Sequence, residues 1–315
     1  MRILVVGAGA IGGYFGGRLL AAGRDVTFLV RTRRAAQLAK TGLVIRSPFG
    51  DANLPAPPTV MADAIRTPFD LILLSCKAYD LESAANSFAP AVGTNTAILP
   101  LLNGMAHVDF LAARLGAAAV LGGQCQISTT LDAEGRVLHL NDLHLLSFGE
   151  LDGSKSPRAE KIAAVLIDAG FDSRLSTAIL LEMWEKWLLI AAVAGITCLM
   201  RAPVGDIVAA NATHLKTTLL DECTAVAGAN GFLPRPAFIE RIRTMITTPG
   251  STFAASMLRD TERNAPIEAD HIVGDLIRRG EVKQCNMALL RIAFAHLKAY
   301  EARRVREGAG TAKSA

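Results

Sequence analysis

The sequence lacks the features that mark disulfide-rich, metal-binding and membrane-spanning proteins. Its five cysteines are widely scattered and no two form a C-x-x-C pair, which argues against both a disulfide framework and a zinc site. The longest apolar stretch, residues 187–200, is shorter than the ~20 residues that a membrane-spanning helix needs. We therefore expect no metal, no membrane span and a reducing, cytoplasmic setting.

Strong charge of either sign is also missing. The net charge of +4 is small for 315 residues, and there is no basic run or aromatic-interleaved basic patch of the kind that nucleic-acid binders carry. The N-terminus is not predicted to be a signal peptide, because Met1-Arg2 leads directly into an apolar run that ends in a glycine-rich turn. These observations favour a protein of about two domains that binds a small molecule rather than a nucleic acid.

The first half of the chain alternates short apolar runs with helical patterns. Further strands and a closing helix follow, and the turn signal Asp132-Ala133-Glu134-Gly135 predicts a hairpin between the strands on either side of it. The runs typical of buried parallel strands are residues 3–6, 26–30, 71–75 and 97–101. The additional predicted elements are strands at 120–128, 136–140 and 144–148, a helix at 157–169 and a strand at 171–174.

The strongest local motif is a glycine-rich turn that follows the first strand and opens a helix. Gly7 allows the tight turn, Gly9 lets the backbone approach a pyrophosphate, and Gly12 lets the helix pack close to the strand. The alternative, a glycine-rich turn with a purely structural role, is less favoured in this strand–turn–helix context. The candidate cofactor ligands of the turn are Gly7, Ala8, Gly9, Ala10, Ile11 and Gly12.

After about residue 177 the strand-like runs nearly vanish. Long helical segments are predicted at 178–200, 211–230, 235–248, 266–279 and 284–306. The fold class is therefore α/β followed by all-α: a Rossmann-type, doubly wound dinucleotide-binding domain over 1–176 and a helical domain over 177–315, which we expect to carry substrate and catalytic groups. The tail, residues 307–315, is expected to be disordered.

The end of the second strand bears on the choice of cofactor. An acid at this position binds the ribose hydroxyls of NAD, whereas an arginine accommodates the 2′-phosphate of NADP. The chain has Arg31 there, in a basic segment without an acid, so we predict NADP(H) as the cofactor. The alternative is a solvated basic start of a helix, which is less favoured because basic residues oppose the helix dipole there.

Polar residues also follow two other strands of the predicted sheet. Lys77 comes after the strand at 71–75, and Asn103-Gly104 comes after the strand at 97–101. Singly, the lysine could be a surface charge and Asn-Gly a bare turn. Because ligands bind at the carboxyl ends of such strands, the two together favour a site for cofactor and substrate at this edge of the sheet.

Two charged residues of the second half are candidate catalytic groups. Lys186 lies on a helix that becomes wholly apolar one residue later, and the reduction of a ketone needs a proton donor for the developing alkoxide. The alternative is a lysine that extends its stem along an apolar face or pairs with Glu182. Glu268 begins an amphipathic helix, where acids usually serve as dipole partners. The residues alone leave both alternatives open.

Taken together, these and other short motifs resemble the ketopantoate reductase (2-dehydropantoate 2-reductase) family over nearly the whole chain. Their order and spacing are more specific than the glycine pattern alone. The matching residues are Gly7-x-Gly9-x-x-Gly12, Arg31, Lys77-Ala78-Tyr79, Asn103-Gly104-Met105, Glu182 with Trp184, Glu185 and Lys186, Pro203 with Gly205, Ser256-Met257-Leu258-x-Asp260, and Glu268-x-Asp270.

The resemblance implies roles for these residues. Lys186 is implied to be the catalytic acid and to hold the substrate, and Glu268 to help place the cofactor and the active-site groups. Lys77 and Asn103 are implied to contact cofactor and substrate, and Ser256 to bind the carboxylate region of the substrate. The implied reaction is the NADPH-dependent reduction of a 2-oxo acid to a 2-hydroxy acid, with ketopantoate and pantothenate biosynthesis as the first expectation.

The chain departs from the family pattern where that pattern places substrate-binding asparagines. Ile190, Ala194 and Val204 stand at those positions, so the bonds that would recognise the hydroxyl of ketopantoate are missing. Two alternatives therefore stay open: a paralogue that reduces a more apolar 2-oxo acid, and a non-catalytic NADP-binding sensor. The oligomeric state is also open, with a homodimer as one option. Polar groups that could replace the asparagines by position are Gln124, Gln126, Asn264 and His271.

Overall fold

The structure, a computed structural model, describes residues 1–311 of the chain, which form two compact units. Unit 1 comprises Met1–Leu102 and His107–Leu180. Unit 2 comprises Asn103–Ala106 and the chain from Leu181 onward. The short segment Asn103–Ala106 therefore belongs with a part of the chain that begins more than seventy residues later. Among residues 1–311, no helix combines the length with the hydrophobicity that a membrane span requires.

Unit 1 contains two sheets and the first five α-helices. Its strands are β1 (Arg2–Val6), β2 (Asp25–Leu29), β3 (Leu43–Arg46), β4 (Ala52–Leu54), β5 (Thr59–Val60), β6 (Leu71–Leu74), β7 (Ala97–Pro100), β8 (Gly122–Leu131), β9 (Val137–Gly149) and β10 (Asp172–Leu175). Its helices are α1 (Ala10–Ala21), α2 (Thr32–Thr41), α3 (Leu81–Phe88), α4 (Ala106–Leu115) and α5 (Pro157–Leu166).

The first sheet has the strand order β5–β2–β1–β6–β7, and all of its strands are parallel. Strands β1, β6 and β7 are buried on both faces, as their continuous apolar sequences require. The order reverses direction between β1 and β6, and a crevice for ligands forms at such a switch point. The predicted Rossmann-type parallel sheet and α-helical second half are confirmed.

The second sheet has the order β10–β9–β3–β4, with β8 also paired to β9. Neither β3 nor β4 was predicted from the sequence. The expectation of separate strands at 136–140 and 144–148 is wrong, because β9 runs through both. Opposite the middle of β9, the register of β8 shifts between Ile127 and Thr129, and the Ser128 amide donates to the side chain of Asn141 at 2.8 Å. At this register shift, the side-chain hydrogen bond takes the place of a backbone pairing between the two strands.

Helix α1 packs against strands of both sheets, and its glycines make this close approach possible. A Cβ on Gly16 would lie 2.7 Å from Phe28 of the parallel sheet, and a Cβ on Gly17 would lie 2.7 Å from Ile45 of the second sheet. The Cβ positions of the two glycines face different sheets, because adjacent helical residues are rotated by about 100° around the helix axis. A helix with larger side chains at these positions would push the sheets away from it.

Within the described residues, the regular elements of unit 2 are all helices. Its core includes Trp184 and Trp187, both almost completely buried. A π-helical segment, Asp270–Gly274, leads into one of the helices. The helices are α6 (Ile179–Met200), α7 (Val204–Ala209), α8 (Thr213–Ala229), α9 (Pro236–Thr247), α10 (Ser256–Glu262), α11 (Asp275–Val282) and α12 (Ala288–Thr311).

Two expectations for this half need correction. The single helix expected over 266–279 is instead the π-helical segment followed by α11, and Glu268 lies just before its first turn. The disorder expected from residue 307 is wrong up to Thr311, because α12 continues to that residue. An ion pair between Arg303 and Glu307, one turn apart, stabilises this part of the helix. The remainder of the predicted tail, residues 312–315, lies outside the described residues.

Candidate active site

The glycine-rich turn has the form that an anionic group requires at a helix N-terminus. Gly7 has a φ of +92°, a backbone conformation that favours glycine. Gly9 is the N-cap of α1 and makes no side-chain capping bond, and the first turn of the helix carries no acid. A Cβ on Gly9 would meet nothing within 4 Å. The backbone amides here suit a pyrophosphate, so the residues present fit a dinucleotide.

The other side of the turn is fixed to the parallel sheet through Ser75. Its hydroxyl donates to the carbonyl oxygens of Val6 at 2.9 Å and Gly7 at 3.1 Å. A Cβ on Gly12 would lie 2.1 Å from the Gly7 oxygen and 2.2 Å from the Ser75 hydroxyl. Gly12 is thus required for packing, whereas Gly9 leaves space for a ligand.

Arg34 on α2 forms a link that the sequence interpretation did not identify. Its Nε donates to the carbonyl of Ala8 in the glycine-rich turn at 2.9 Å, and its Nη1 donates to the carbonyl of Gly135 at 3.0 Å. Gly135 lies at the tip of the β8–β9 hairpin. Burial lowers the pKa of the Arg34 guanidinium, since the charge is partly removed from water. The hairpin tip and the glycine-rich turn are therefore connected by one side chain.

The candidate 2′-phosphate ligand, Arg31, is the N-cap of α2 and is largely exposed. Its Nη2 lies 2.7 Å from the carboxylate of Asp80, and this hydrogen bond raises the pKa of Arg31. Asp80 ends a short 3-10 turn, Ala78–Asp80, that follows β6. The sequence interpretation found no acid near Arg31 because this one is 49 residues away along the chain. The sequence feature that could have identified Asp80 is its position shortly after a parallel strand, three residues beyond Lys77.

Lys77 and Asn103, the two candidate ligands that follow strands of the parallel sheet, belong to different units. Lys77 is exposed in unit 1 and is the N-cap of the 3-10 turn after β6. Asn103 is partly buried and lies in the segment that is part of unit 2. The following residue, Gly104, has a φ of +82°, so the turn there needs glycine.

Lys186 lies on α6 between two residues that are held by other elements of unit 2. The carboxylate of Glu185 is 2% exposed and accepts hydrogen bonds from the backbone amide and the Nε of Arg235, both at 2.9 Å. On the other side, the indole of Trp187 donates to the carbonyl of Ile272 at 2.8 Å. Lys186 itself is partly exposed. Its helix can neither rotate nor slide without breaking these bonds.

The face of α6 beyond Lys186 is apolar, as the sequence requires. Ile190 is partly exposed one turn further on, and Ala194 is buried two turns further on. Thr197, three turns from Lys186, accepts a hydrogen bond from the amide of Ala255 at 3.4 Å. The next residue, Ser256, is exposed and begins α10, so that helix starts against the same end of α6. Val204, the third departure, is fully buried.

The π-helical segment connects other candidate residues. Glu268 lies just before it, partly buried, and its carbonyl accepts a hydrogen bond from the amide of Ile272 at 3.0 Å. The side chain of His271 makes a hydrogen bond with the backbone of Asn103. Together with the Trp187 bond to Ile272, these contacts bring the segments that carry Lys186, Asn103 and Glu268 to one place in unit 2. Trp187 was not singled out from the sequence.

Comparison with known proteins decides the family. The family model for ketopantoate reductase PanE/ApbA matches residues 3–153, and the model for the C-terminal part of the same family matches residues 178–301. The chain belongs to the ketopantoate reductase family. This is an oxidoreductase family, so the resemblance noted from the sequence motifs is confirmed.

Individual relatives are similar to this chain over almost their full length. The chain is 37% identical to "Uncharacterized oxidoreductase YkpB" of Bacillus subtilis (strain 168), covering 96% of this chain and 99% of that protein. It is 27% identical to the crystal structure of 2-dehydropantoate 2-reductase from Methylococcus capsulatus, with a TM-score of 0.86 and coverage of 96% and 98%.

A further structural neighbour shows the fold alone. The ternary structure of D-mandelate dehydrogenase with NADH and anilino(oxo)acetate is 22% identical, with a TM-score of 0.86 and coverage of 96% of this chain and 99% of that one. Dehydrogenases of this fold thus include one that uses a nicotinamide cofactor.

Proposed function

We propose that this protein reduces a 2-oxo acid to the corresponding 2-hydroxy acid with NADPH, and that ketopantoate is the first substrate to test. The observation that carries the proposal is the placement of Lys186 between two anchored neighbours, Glu185 and Trp187. The glycine-rich turn, which fits a dinucleotide, supports it. Membership of the ketopantoate reductase family supports the class of reaction.

The proposed reaction divides between the cofactor and the residues of the chain. Bound NADPH would supply the hydride for the keto carbon of the substrate. As the C=O double bond becomes a single bond, the oxygen gains negative charge, and the ammonium of Lys186 stabilises this charge and then donates a proton to the oxygen. Solvent returns a proton to Lys186 afterwards. Glu268 and Asn103 would fix the geometry, and Ser256 would bind the carboxylate region of the substrate.

The cofactor ligands of the proposal are all backbone or side-chain groups of unit 1, apart from Asn103. The amides from Gly7 to Gly12 would bind the pyrophosphate, and Arg31 would bind the 2′-phosphate. Lys77 would contact the cofactor from the end of β6. We place the protein in the cytoplasm, where NADPH is available and where its cysteines stay reduced.

Replacing Lys186 tests the proposed proton donor directly. We expect Lys186→Ala to lower kcat for the reduction of a 2-oxo acid by about 10²–10⁴-fold, because a positioned general acid contributes that much. Binding of NADPH, measured by its fluorescence, should stay nearly unchanged. Lys283→Ala is the matched control, since Lys283 is an exposed lysine of the same unit. Unchanged turnover in Lys186→Ala would remove this residue from the mechanism.

A second candidate substrate class is favoured by the apolar face of α6. Ile190 and Ala194 cannot hydrogen-bond a substrate hydroxyl, and Val204 is likewise apolar. A 2-oxo acid with an apolar side chain would lose nothing at these positions, whereas ketopantoate would leave its hydroxyl unpaired. The values of kcat/KM for NADPH oxidation with ketopantoate and with branched-chain and aromatic 2-oxo acids distinguish the two. Tight NADPH binding without turnover on any of them would instead indicate a sensor.

A further inference from the structure

His271 contacts the turn that carries Asn103. Its imidazole is hydrogen-bonded to the backbone of Asn103, and it lies against Gly104. A Cβ on Gly104 would be 3.0 Å from the His271 carbonyl oxygen, 3.1 Å from its Cδ2 and 3.3 Å from its Nε2. The ring edge that carries Nε2 therefore faces the turn, and the glycine is what allows this approach.

The direction of the hydrogen bond follows from its effect on the imidazole. The bond acts to raise the pKa of His271, so the ring donates to the carbonyl oxygen of Asn103, because only such a bond favours the charged form. Burial has the larger, opposite effect and lowers the pKa overall. The nearby charges of Glu268 and Asp275 act to raise the pKa and that of Arg278 to lower it. At neutral pH the ring is thus uncharged and carries one N–H.

The backbone that holds His271 is unusual. His271 lies in the π-helical segment, a geometry that is rare and is often found at functional sites. The carbonyl of Ile272, the next residue, accepts the hydrogen bond from the indole of Trp187, which directly follows Lys186. The amide of Ile272 is bonded to the carbonyl of Glu268. The segments that carry Asn103, Lys186 and Glu268 therefore each contact either His271 or Ile272.

We infer that His271 is a positioning residue, whose imidazole holds the Asn103–Gly104 turn in register with the segments that carry Lys186 and Glu268. The inference rests on the proposed function, in which Asn103 helps to fix the geometry of the active site. His271 need not contact the substrate, and it acts through Asn103. A displacement of about 1 Å in such a group can lower turnover about 10²-fold.

The experiment compares two substitutions of nearly equal size and shape. His271→Gln keeps an N–H donor close to the position of Nε2, and His271→Met removes the donor. We expect His271→Met to lower kcat/KM for a 2-oxo acid by about 10–100-fold, and His271→Gln to retain activity within about threefold of the wild type. A role in packing alone predicts that both variants behave alike, and that result would overturn the inference.

A second measurement separates failure of this inference from failure of the proposed function. Hydrogen exchange of the backbone amides in Asn103–Ala106 needs no substrate, and it should be faster in His271→Met than in His271→Gln or in the wild type. Equal exchange in all three proteins would overturn the role of His271 even if the enzyme is active. If the wild type reduces no 2-oxo acid, the proposed function fails, while the exchange experiment still decides whether His271 holds the turn.

The wild-type protein gives a third readout, which does not depend on the folding of any variant. Proton NMR at neutral pH should show the ring N–H of His271 protected from exchange with solvent, with the proton on Nε2. A neutral ring with its proton on Nδ1 would contradict the geometry from which the inference is drawn.

Discussion

Arg31 and Asp80 form an exposed ion pair at the end of β2, where the cofactor's ribose is expected. The side chain of Arg31 is 72% exposed and that of Asp80 is 34% exposed, so water weakens their attraction. A phosphate could therefore compete with Asp80 for the guanidinium. The carboxylate would nevertheless repel a 2′-phosphate, so the proposed preference for NADP(H) depends on the balance of the two charges.

Substitutions of Arg31 and of Asp80 should shift the cofactor preference in opposite directions. Arg31→Ala should weaken NADPH binding by about 10–100-fold, the usual effect of losing a hydrogen bond to a charged group, and leave NADH binding nearly unchanged. Asp80→Asn should strengthen NADPH binding by about fivefold, which corresponds to removing a repulsion of ~1 kcal/mol in water. Fluorescence titration with both cofactors measures these effects.

Arg33→Ala is the matched control for these two variants, because Arg33 is an exposed neighbour on the same helix. It should leave the ratio of NADPH to NADH affinity unchanged. If Arg33→Ala and Arg31→Ala reduce NADPH binding equally, the effect is one of general charge, and Arg31 is not a specific ligand.

The candidate site illustrates which residues a sequence can identify. The sequence pointed to Gly7, Gly9 and Gly12, because a tight turn, a close approach to a pyrophosphate and close packing of helix on strand each need glycine. It did not identify Asp80 as a partner of Arg31 or Trp187 as an anchor of α6, because both contacts join residues that are far apart along the chain. Such contacts depend on tertiary packing, which no local pattern records.

The start of helix α1 separates a packing role, at Gly12, from a proposed ligand-binding role, at Gly9, and a pair of alanine variants tests this at the scale of the element. Gly12→Ala should lower the free energy of unfolding by at least about 1–3 kcal/mol, because the new methyl group overlaps the Gly7 carbonyl and the Ser75 hydroxyl. Gly9→Ala should leave that free energy nearly unchanged and weaken NADPH binding, since its methyl group enters open space. Urea unfolding and fluorescence titration measure the two quantities.

The two variants control for each other, since they make the same chemical change three residues apart on one helix. Equal loss of stability in both would show that the space at Gly9 is needed for folding. Unimpaired NADPH binding in Gly9→Ala would contradict the placement of the pyrophosphate at this turn.

The elements themselves were predictable to different degrees. The strands β1, β2, β6 and β7 are short, mostly apolar runs between turn residues, and the sequence predicted all four. By contrast, β3 and β4 are short and partly polar, and they form a sheet only by pairing with each other and with the distant β9. The π-helical segment was predicted as ordinary helix, because the same amphipathic pattern fits both geometries.

At the scale of the whole molecule, buried histidines make stability depend on pH. Burial lowers the pKa of His144, and the charges of His139 and Arg18 act in the same direction, while Asp172 acts against them. The ring of His144 shares a 2.8 Å hydrogen bond with the hydroxyl of Tyr14. His271 has its pKa lowered by burial in the same way. In the unfolded chain both groups should titrate near their usual pKa of ~6.5.

The free energy of unfolding should therefore decrease as the pH falls below about 6.5. Between the unfolded and the folded pKa values the unfolded chain binds more protons than the folded protein, so acid favours unfolding. Urea unfolding at several pH values between 7.5 and 5.5 measures the slope. His144→Asn should reduce the slope, and His214→Asn, at an exposed histidine, should not. A flat profile in the wild type would contradict the lowered pKa values.

The guanidinium of Arg34 has a consequence for protein engineering. The tip of the β8–β9 hairpin looks like a permissive place for an affinity tag or a grafted peptide, because it is polar and lies more than a hundred residues from the start of the chain. It is nevertheless bonded, through Arg34, to the carbonyl of Ala8. An insertion at Gly135 would disturb the loop that is proposed to receive the dinucleotide, so fusion partners belong elsewhere on this protein.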